Sequence, residues 1–118
     1  MTEIKEQKYS VSYDKQNAMV ILQGALLLNG ASAYEPILNI LKEAAENHES
    51  AQLTVDIRGL TFLNSSGINM MTKLIMYVSD VKKLQLKVVL IGRQQVAWQE
   101  RLAINLQRLM PSMQAVLE

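Results

Sequence analysis

The side chains that could carry out covalent chemistry are few in this sequence. His48 is the only histidine and the chain has no cysteine, which excludes thiolate nucleophiles, disulfides and zinc–cysteine sites. A serine nucleophile needs an activating base, and the adjacent Ser65 and Ser66 lack the Gly-x-Ser-x-Gly turn of hydrolases. Asp56 and Asp80 stand alone, without a second carboxylate for paired acid–base catalysis. A hydrolase built on Ser65 or His48 is therefore the least favoured class of function.

Glycine and methionine give no sign of a ligand site. Gly24 and Gly30 are too far apart for a dinucleotide or phosphate-binding loop, and Gly67 stands alone. The seven methionines fall mostly on apolar faces, where filling of the core explains them. The single histidine lies at a predicted helix end, where a cation is favourable beside the last carbonyl groups. The sequence predicts no cofactor and no metal.

The charges and the apolar runs limit the partners. The 12 basic and 11 acidic residues give a formal net charge of +1, and such a balance lacks the basic patch that nucleic acid requires. The apolar runs are shorter than the ~20 residues of a membrane helix, and the first six residues do not resemble a signal peptide. We therefore expect a cytoplasmic protein that does not insert into a membrane.

Strand and helix patterns alternate along the chain. Residues 9–14 alternate in polarity, as in a half-buried strand, and residues 14–17 make a turn into the apolar run 18–22. Ser32 and Glu35 have the spacing of a capping box, and apolar residues recur at helical spacing from there to about residue 48. This part of the sequence predicts a hairpin followed by a helix.

The second half continues the alternation. Residues 53–57 predict a strand and 59–63 a loop, and a helix is expected from Asn64 to about Lys83. The β-branched run 86–91 predicts a strand buried on both faces, and a last helix covers 93–109 with Pro111 as its stop. The order β-β-α-β-α-β-α implies crossover connections, and so an α/β domain with a mixed, mostly parallel sheet. One domain is expected over residues 1–118, with 1–7 loosely ordered.

One stretch resembles a known family. Residues 53–71 are similar to the signature of STAS domains, the bacterial anti-sigma factor antagonists and their relatives, in which a buried strand leads through an apolar loop into Asp-Ser-Ser/Thr-Gly-Leu. The most specific match is Asn64-Ser65-Ser66-Gly67. The tail, residues 105–111, resembles the family's closing Gly-Leu-x-x-Leu-Phe-Pro, and the order of elements also agrees. The resemblance covers residues 9–117 and implies a STAS-like fold.

The resemblance also implies a switch at Ser65. In STAS antagonists the first serine of the motif is phosphorylated by a partner kinase and dephosphorylated by a phosphatase, and only the unmodified form binds the partner. The expected partners are an anti-sigma factor or serine kinase and an opposing phosphatase. A serine in the first turn of a helix lies beside backbone N–H groups without helical partners. Phosphorylation adds about 1.5–2 negative charges there.

Two positions depart from the family. Asn64 stands where the family has aspartate, and Gly24-Ala25-Leu26-Leu27 stands where it has Gly-Glu-Leu-Asp. The first change removes a charge next to the expected phosphorylation site, and the second removes both acids of the Gly-Glu-Leu-Asp segment. The loss of the acid at Asn64 favours an alternative function, in which the chain is a subunit of a larger complex such as a transporter assembly and is not phosphorylated.

A helical wheel defines the expected docking surface. Ser65, Asn69, Thr72 and Met76 fall within a narrow arc, which also includes Lys83. We expect the opposite face of the helix to pack on the sheet through Ile68, Met71, Ile75 and Val78. The predicted partner-binding residues are Asn64, Ser66, Gly67, Asn69, Thr72 and Met76, with Ser65 as the regulated position. Two plainer interpretations stay open, namely an ordinary helix N-cap at residues 64–67 and a single exposed methionine at position 76.

The sequence thus predicts a non-enzymatic regulator that acts by protein binding in a partner-switching pathway of signal transduction and transcription. A phosphoprotein switch at Ser65 and a constitutive subunit of the same fold remain the two leading versions. The identity of the partner and the oligomeric state are not specified by the sequence.

Overall fold

The strands of the computed structural model, which describes residues 2–118, join into one mixed sheet. Within that range the strands are β1 Thr2–Lys5, β2 Tyr9–Asp14, β3 Met19–Leu26, β4 Gln52–Leu63, β5 Lys87–Gly92 and β6 Gln114–Leu117. The helices are α1 Gly30–Asn47, α2 Ser65–Met76 and α3 Ala97–Leu109, and a π-helical turn at Tyr77–Val81 extends α2. The strand order is β1-β2-β3-β4-β5-β6. Pairing is antiparallel from β1 to β3 and parallel from β3 to β6, so the predicted α/β class and STAS-like fold are confirmed.

The three helices cover one face of the sheet. Each parallel crossover moves one strand further in the same direction, and right-handed crossovers then place every helix on the same side. Alternate strand residues such as Val11, Leu22, Val55 and Leu90 point to that side and are buried. α1 packs on α2, and α2 packs on α3. The hydrophobic core therefore lies between the helices and this face of the sheet.

β4 positions the start of α2 beyond the rest of the sheet. Its residues from Gln52 to Asp56 pair with β5, whereas its later residues, up to Leu63, pair with β3 alone. Leu26 at the end of β3 pairs with Leu63, and α2 begins two residues later. The carboxyl ends of β3 and β4 therefore extend beyond the part of the sheet that pairs with β5, and α2 begins at this extension.

Several boundaries differ from the sequence-based expectations. Thr2–Lys5 forms edge strand β1 within the segment 1–7 that was expected to be loosely ordered, because its backbone pairs antiparallel with β2. The expected loop 59–63 is the end of β4, with register shifts that absorb the irregular part. β6 is an additional strand that follows α3.

The helix ends also differ in part. α1 starts at Gly30 with Asn29 as its N-cap, so Ser32 and Glu35 lie inside the helix and do not form the predicted capping box. The predicted end of α1 near Asn47 is confirmed. Met71 and Ile75 of α2 and Val78 of the π-helical turn are buried as expected, whereas Ile68 is 37% exposed. The prediction that Ile68 packs on the sheet is wrong.

Candidate functional site

Ser65 is the first residue of α2 and its side chain is exposed to solvent. The preceding residue, Asn64, is the N-cap, with extended backbone angles and a side-chain Oδ1 that accepts a hydrogen bond of 3.0 Å from the Gly67 N–H. An N-cap of this kind satisfies one of the backbone donors at the helix start. The helix start is thus fixed by Asn64, and the Ser65 hydroxyl stands beside the fixed turn.

Asn64 connects three elements through its side chain. Its Oδ1 also accepts a hydrogen bond of 2.7 Å from the phenol of Tyr34 on α1, and its Nδ2 donates one of 2.8 Å to the Leu28 carbonyl between β3 and α1. Tyr34 is buried, and burial raises the pKa of its phenol, so the phenol stays protonated and donates. A carboxylate at position 64 could accept from Tyr34 but could not donate to Leu28. Asn64, which stands where the STAS signature has aspartate, therefore matches the local hydrogen bonding.

Ser66 differs from its neighbour. Its Oγ accepts a hydrogen bond of 3.3 Å from the backbone N–H of Gly30, the first residue of α1. Ser66 is half-buried, whereas Ser65 is exposed. The starts of α1 and α2 are therefore adjacent, and of the two serines Ser65 is the one that is open to a visiting enzyme.

Gly67 is buried and has a packing role. A Cβ at this position would lie 2.3 Å from Leu63 Cδ1 and 2.9 Å from the Tyr34 phenol oxygen, closer than real side chains approach one another. Glycine therefore lets the first turn of α2 approach both β4 and α1. Its predicted role in partner binding remains a prediction.

The other predicted docking residues lie further along α2. Asn69 is exposed and Met76 is 44% exposed, while Thr72 is half-buried and its hydroxyl donates to the Ile68 carbonyl at 3.1 Å. A groove of about 250 Å³ lies between α1 and α2, and Ser66, Asn69 and Thr72 all line it. The structure thus places these three residues in one groove, with Tyr34 at its wall.

His48 lies far from the serines. It is the C-cap of α1, and its Nε2 lies 2.8 Å from the phenol oxygen of Tyr13. Gly30, which contacts Ser66, is at the other end of this 18-residue helix, about 27 Å away at 1.5 Å per residue. A Ser65–His48 pair for nucleophilic catalysis is therefore ruled out by distance.

Asp56, the other candidate for chemistry, is held in an ion pair. Arg58 Nη2 lies 2.8 Å from Asp56 Oδ2, and Arg58 Nη1 lies 2.8 Å from Glu118 Oε1. Burial alone would raise the pKa of Asp56, but the hydrogen bonds and charge of Arg58, with Arg93 nearby, outweigh it and lower this pKa. An ionised, paired carboxylate of this kind is a poor general acid or base at neutral pH.

The carboxylate and imidazole side chains of residues 2–118 include no group of three or more placed to bind a metal ion. No helix in this range combines the length and the apolar character required to cross a membrane.

The residues that sequence reasoning missed are Tyr34 and Leu28, which hold Asn64. Tyr34 lies among the apolar residues that recur at helical spacing along α1, and a buried tyrosine hydroxyl requires a hydrogen-bond partner. That requirement was the available signal, although it does not say which residue supplies the partner. The Leu28 carbonyl has no signal in the sequence.

Comparisons with known proteins agree with a regulatory role. A family model described as SiaC family regulatory phosphoprotein matches residues 2–98. A chain in the crystal structure of the diguanylate cyclase SiaD in complex with its activator SiaC from Pseudomonas aeruginosa superposes with a TM-score of 0.71 at 16% identity, covering 99% of this chain and 98% of that one. The structure of SiaC of Pseudomonas aeruginosa gives a TM-score of 0.68 at 17% identity, covering 100% and 98%. A search of curated protein sequences found no match.

Proposed function

The chain belongs to the SiaC family of regulatory phosphoproteins, and we propose that it is a non-enzymatic switch whose binding to a protein partner is controlled by phosphorylation of Ser65. The observation that carries this proposal is the exposure of Ser65 at the first position of α2, beside a helix start that Asn64 fixes. A kinase can reach this hydroxyl without unfolding the helix, and a phosphate there would be next to the partner-binding residues.

The surrounding residues support a docking surface at the same place. Asn64, Ser66, Gly67, Asn69, Thr72 and Met76 form the proposed contact set around Ser65. Three of them line the groove between α1 and α2. A doubly charged phosphate at Ser65 would have to lose its hydration when a partner covers this surface, and that cost opposes binding.

The proposed partner class is a diguanylate cyclase, with a serine kinase and a phosphatase that set the state of Ser65. The basis is the solved complex in which SiaC is the activator of the cyclase SiaD, together with family membership. An anti-sigma factor is the second candidate partner, and the STAS-like fold favours it. These two partners predict different readouts, namely cyclase activity and transcription.

The unphosphorylated subunit of a larger complex is the second candidate function. Asn64 favours it, because the STAS aspartate beside the phosphorylated serine is absent. The intact mass of the chain purified from its native cell, before and after phosphatase treatment, separates the two versions. A phosphate mapped to Ser65 supports the switch, whereas its absence under every growth condition supports the subunit.

The partner class has its own test. Purified diguanylate cyclases of the source cell are assayed for product formation with the wild-type chain and with the chain phosphorylated at Ser65. We expect the unmodified chain to stimulate one cyclase and the phosphorylated chain to leave it at its basal rate. Equal stimulation by both forms would contradict the switch, and failure to stimulate or bind any cyclase would contradict the partner class.

A further inference from the structure

Two long uncharged segments of the chain meet at the end of the molecule that carries Ser65. Residues 16–34 and 59–72 contain no Asp, Glu, Lys, Arg or His. The first segment includes β3 and the start of α1, and the second includes the end of β4 and the start of α2. The two are joined where Asn64 N–H donates to the Leu26 carbonyl and Asn64 Nδ2 donates to the Leu28 carbonyl.

This end of the molecule also exposes large apolar side chains. Leu27 is 49%, Phe62 is 52% and Ile68 is 37% exposed. Leu27 follows β3 directly, and Phe62 near the end of the neighbouring strand β4 pairs with Ala25, two residues before Leu27. Ile68 lies about one turn after Ser65 on α2. Apolar side chains that are exposed together around one point mark an interaction site, whereas single ones do not.

A cavity extends this apolar region next to Leu27. It has a volume of about 410 Å³ and is lined by Tyr9, Ala25 and Leu28 together with the charged Glu6 and Lys8. On the opposite side of Ser65, Lys73 lines the groove between α1 and α2. Glu6, Lys8 and Lys73 are the charged side chains that line these two hollows, and all three lie outside the two uncharged segments. An apolar centre with a polar rim is the usual organisation of a protein interface.

From these observations we infer that Leu27, Phe62 and Ile68, together with Ser65, form an uncharged docking surface that binds an apolar, uncharged face of the regulated partner protein. This inference rests on the proposed function and specifies the chemistry of the partner. Burial of apolar area, rather than charge pairing, drives the association. A phosphate on Ser65 would be the one charge within this surface, and no cation in either segment is available to neutralise it.

Salt dependence follows directly from this chemistry. Raising NaCl from about 0.1 M to about 1 M shortens the screening length from about 10 Å to about 3 Å and weakens association that depends on charge pairs. For the uncharged docking surface we expect the Kd of the complex to change by less than about threefold over this range. A rise of Kd by tenfold or more, which corresponds to a loss of about 1.4 kcal/mol of binding free energy, would overturn the inference.

The direct test replaces exposed apolar side chains one at a time. The partner is the purified diguanylate cyclase that the unmodified chain stimulates, and the affinities are measured by titration calorimetry. Phe62→Ser and Leu27→Ser are each expected to raise the Kd by about tenfold or more. The matched control is Ile104→Ser, because Ile104 is 44% exposed on α3, outside the two segments. Its Kd should stay within about twofold of wild type.

Folding and self-association have separate readouts. Urea unfolding of each variant checks that the fold persists, as expected for side chains that are half exposed. If folded Phe62→Ser and Leu27→Ser bind the partner with wild-type affinity while Ser65→Asp binds it more weakly, the docking surface is overturned. The proposed switch at Ser65 is then unaffected. A wild-type chain that sediments as a dimer, and a Phe62→Ser chain that sediments as a monomer, would show that a second copy occupies the surface and would also overturn the inference.

Discussion

Two regions of this molecule fix their geometry by opposite means. At the start of α2, the chain is held by neutral hydrogen bonds that Asn64 accepts from Tyr34 and Gly67 and donates to Leu28. Charged residues are absent from the two segments that meet there. On the sheet face without helices, the ionic cluster of Asp56, Arg58 and Glu118 ties β4 to the end of the chain after β6.

The contrast separates the ionic cluster, which supports the fold, from the neutral start of α2, which is the proposed site of regulation. The structure of a site fixed by neutral hydrogen bonds changes little with pH and salt. A phosphate added there is therefore the largest change in the local charge. At a site built from ionic side chains, changes of their protonation with pH would also alter the local charge, in addition to phosphorylation. The absence of charge from the two segments that meet at Ser65 therefore suits the proposed regulation, while the ionic cluster lies on the sheet face without helices.

The largest loss of stability is expected when the Asn64 side chain is removed. Asn64→Ala loses the N-cap and leaves the Tyr34 phenol and the Leu28 carbonyl without their partner, so we expect the free energy of unfolding to fall by about 3 kcal/mol. Asn64→Asp keeps the acceptor but loses the donor to Leu28, and should cost about 1 kcal/mol. Urea denaturation measures both values. Equal stability of wild type and Asn64→Asp would show that the Leu28 hydrogen bond does not matter.

A smaller loss is expected when Gly67 gains a methyl group. The added Cβ would overlap Leu63 and the Tyr34 phenol, and overpacking outweighs the gain in helix propensity, so Gly67→Ala should lower the free energy of unfolding by about 2 kcal/mol. Gly59→Ala on β4 is the matched control, because its new Cβ would meet the Gln23 side chain at 3.0 Å and both residues are exposed. A loss at Gly67 no larger than that at Gly59 would contradict the close packing described here.

The smallest effect is expected in the ionic cluster. The pKa of Asp56 is lowered in the folded chain, so the unfolded chain binds more protons at acidic pH. Its stabilisation is fully present above the usual aspartate pKa of about 3.9 and is lost as the pH falls through the lower folded value. Asp56→Asn should cost about 1 kcal/mol at neutral pH.

Urea denaturation of Asp56→Asn as a function of pH provides the check. Below the folded pKa the deficit of the variant should vanish, because the wild-type carboxyl is then protonated as well. A deficit that stays constant down to the most acidic pH at which the protein folds would contradict the assignment of Asp56 as an ionised partner of Arg58.

The sequence was a good guide wherever the pattern is local. Strict alternation at residues 9–14 predicted β2, and the strand-to-helix motif correctly placed the start of α2. The edge strands were missed because they are short. β1 has one apolar residue, Ile4, between polar neighbours, and β6 has only four residues. Their strand structure depends on pairing with β2 and β5, which no local pattern reports.

The place of Asn64 and Ser65 at the start of α2 was predictable, but the contacts that hold Asn64 were not. Ser65 and Asn64 follow from the motif, whereas the contacts of Asn64 with Tyr34 and Leu28 span 30 and 36 residues. The helical wheel predicts that Ile68 packs on the sheet. A wheel gives the direction of a side chain but not which neighbouring elements cover it, and Ile68 is 37% exposed. The uncharged docking surface likewise emerges only when the fold brings two distant segments together.

The most direct measurement compares two variants that add the same charge at opposite ends of the strands. Ser65→Asp places a carboxylate at the start of α2, and Ser112→Asp places one at an exposed serine before β6. Affinity for the partner, measured by titration calorimetry, should fall by about tenfold or more for Ser65→Asp and stay within about twofold of wild type for Ser112→Asp. Equal affinities of the two variants would contradict a charge-controlled switch at Ser65.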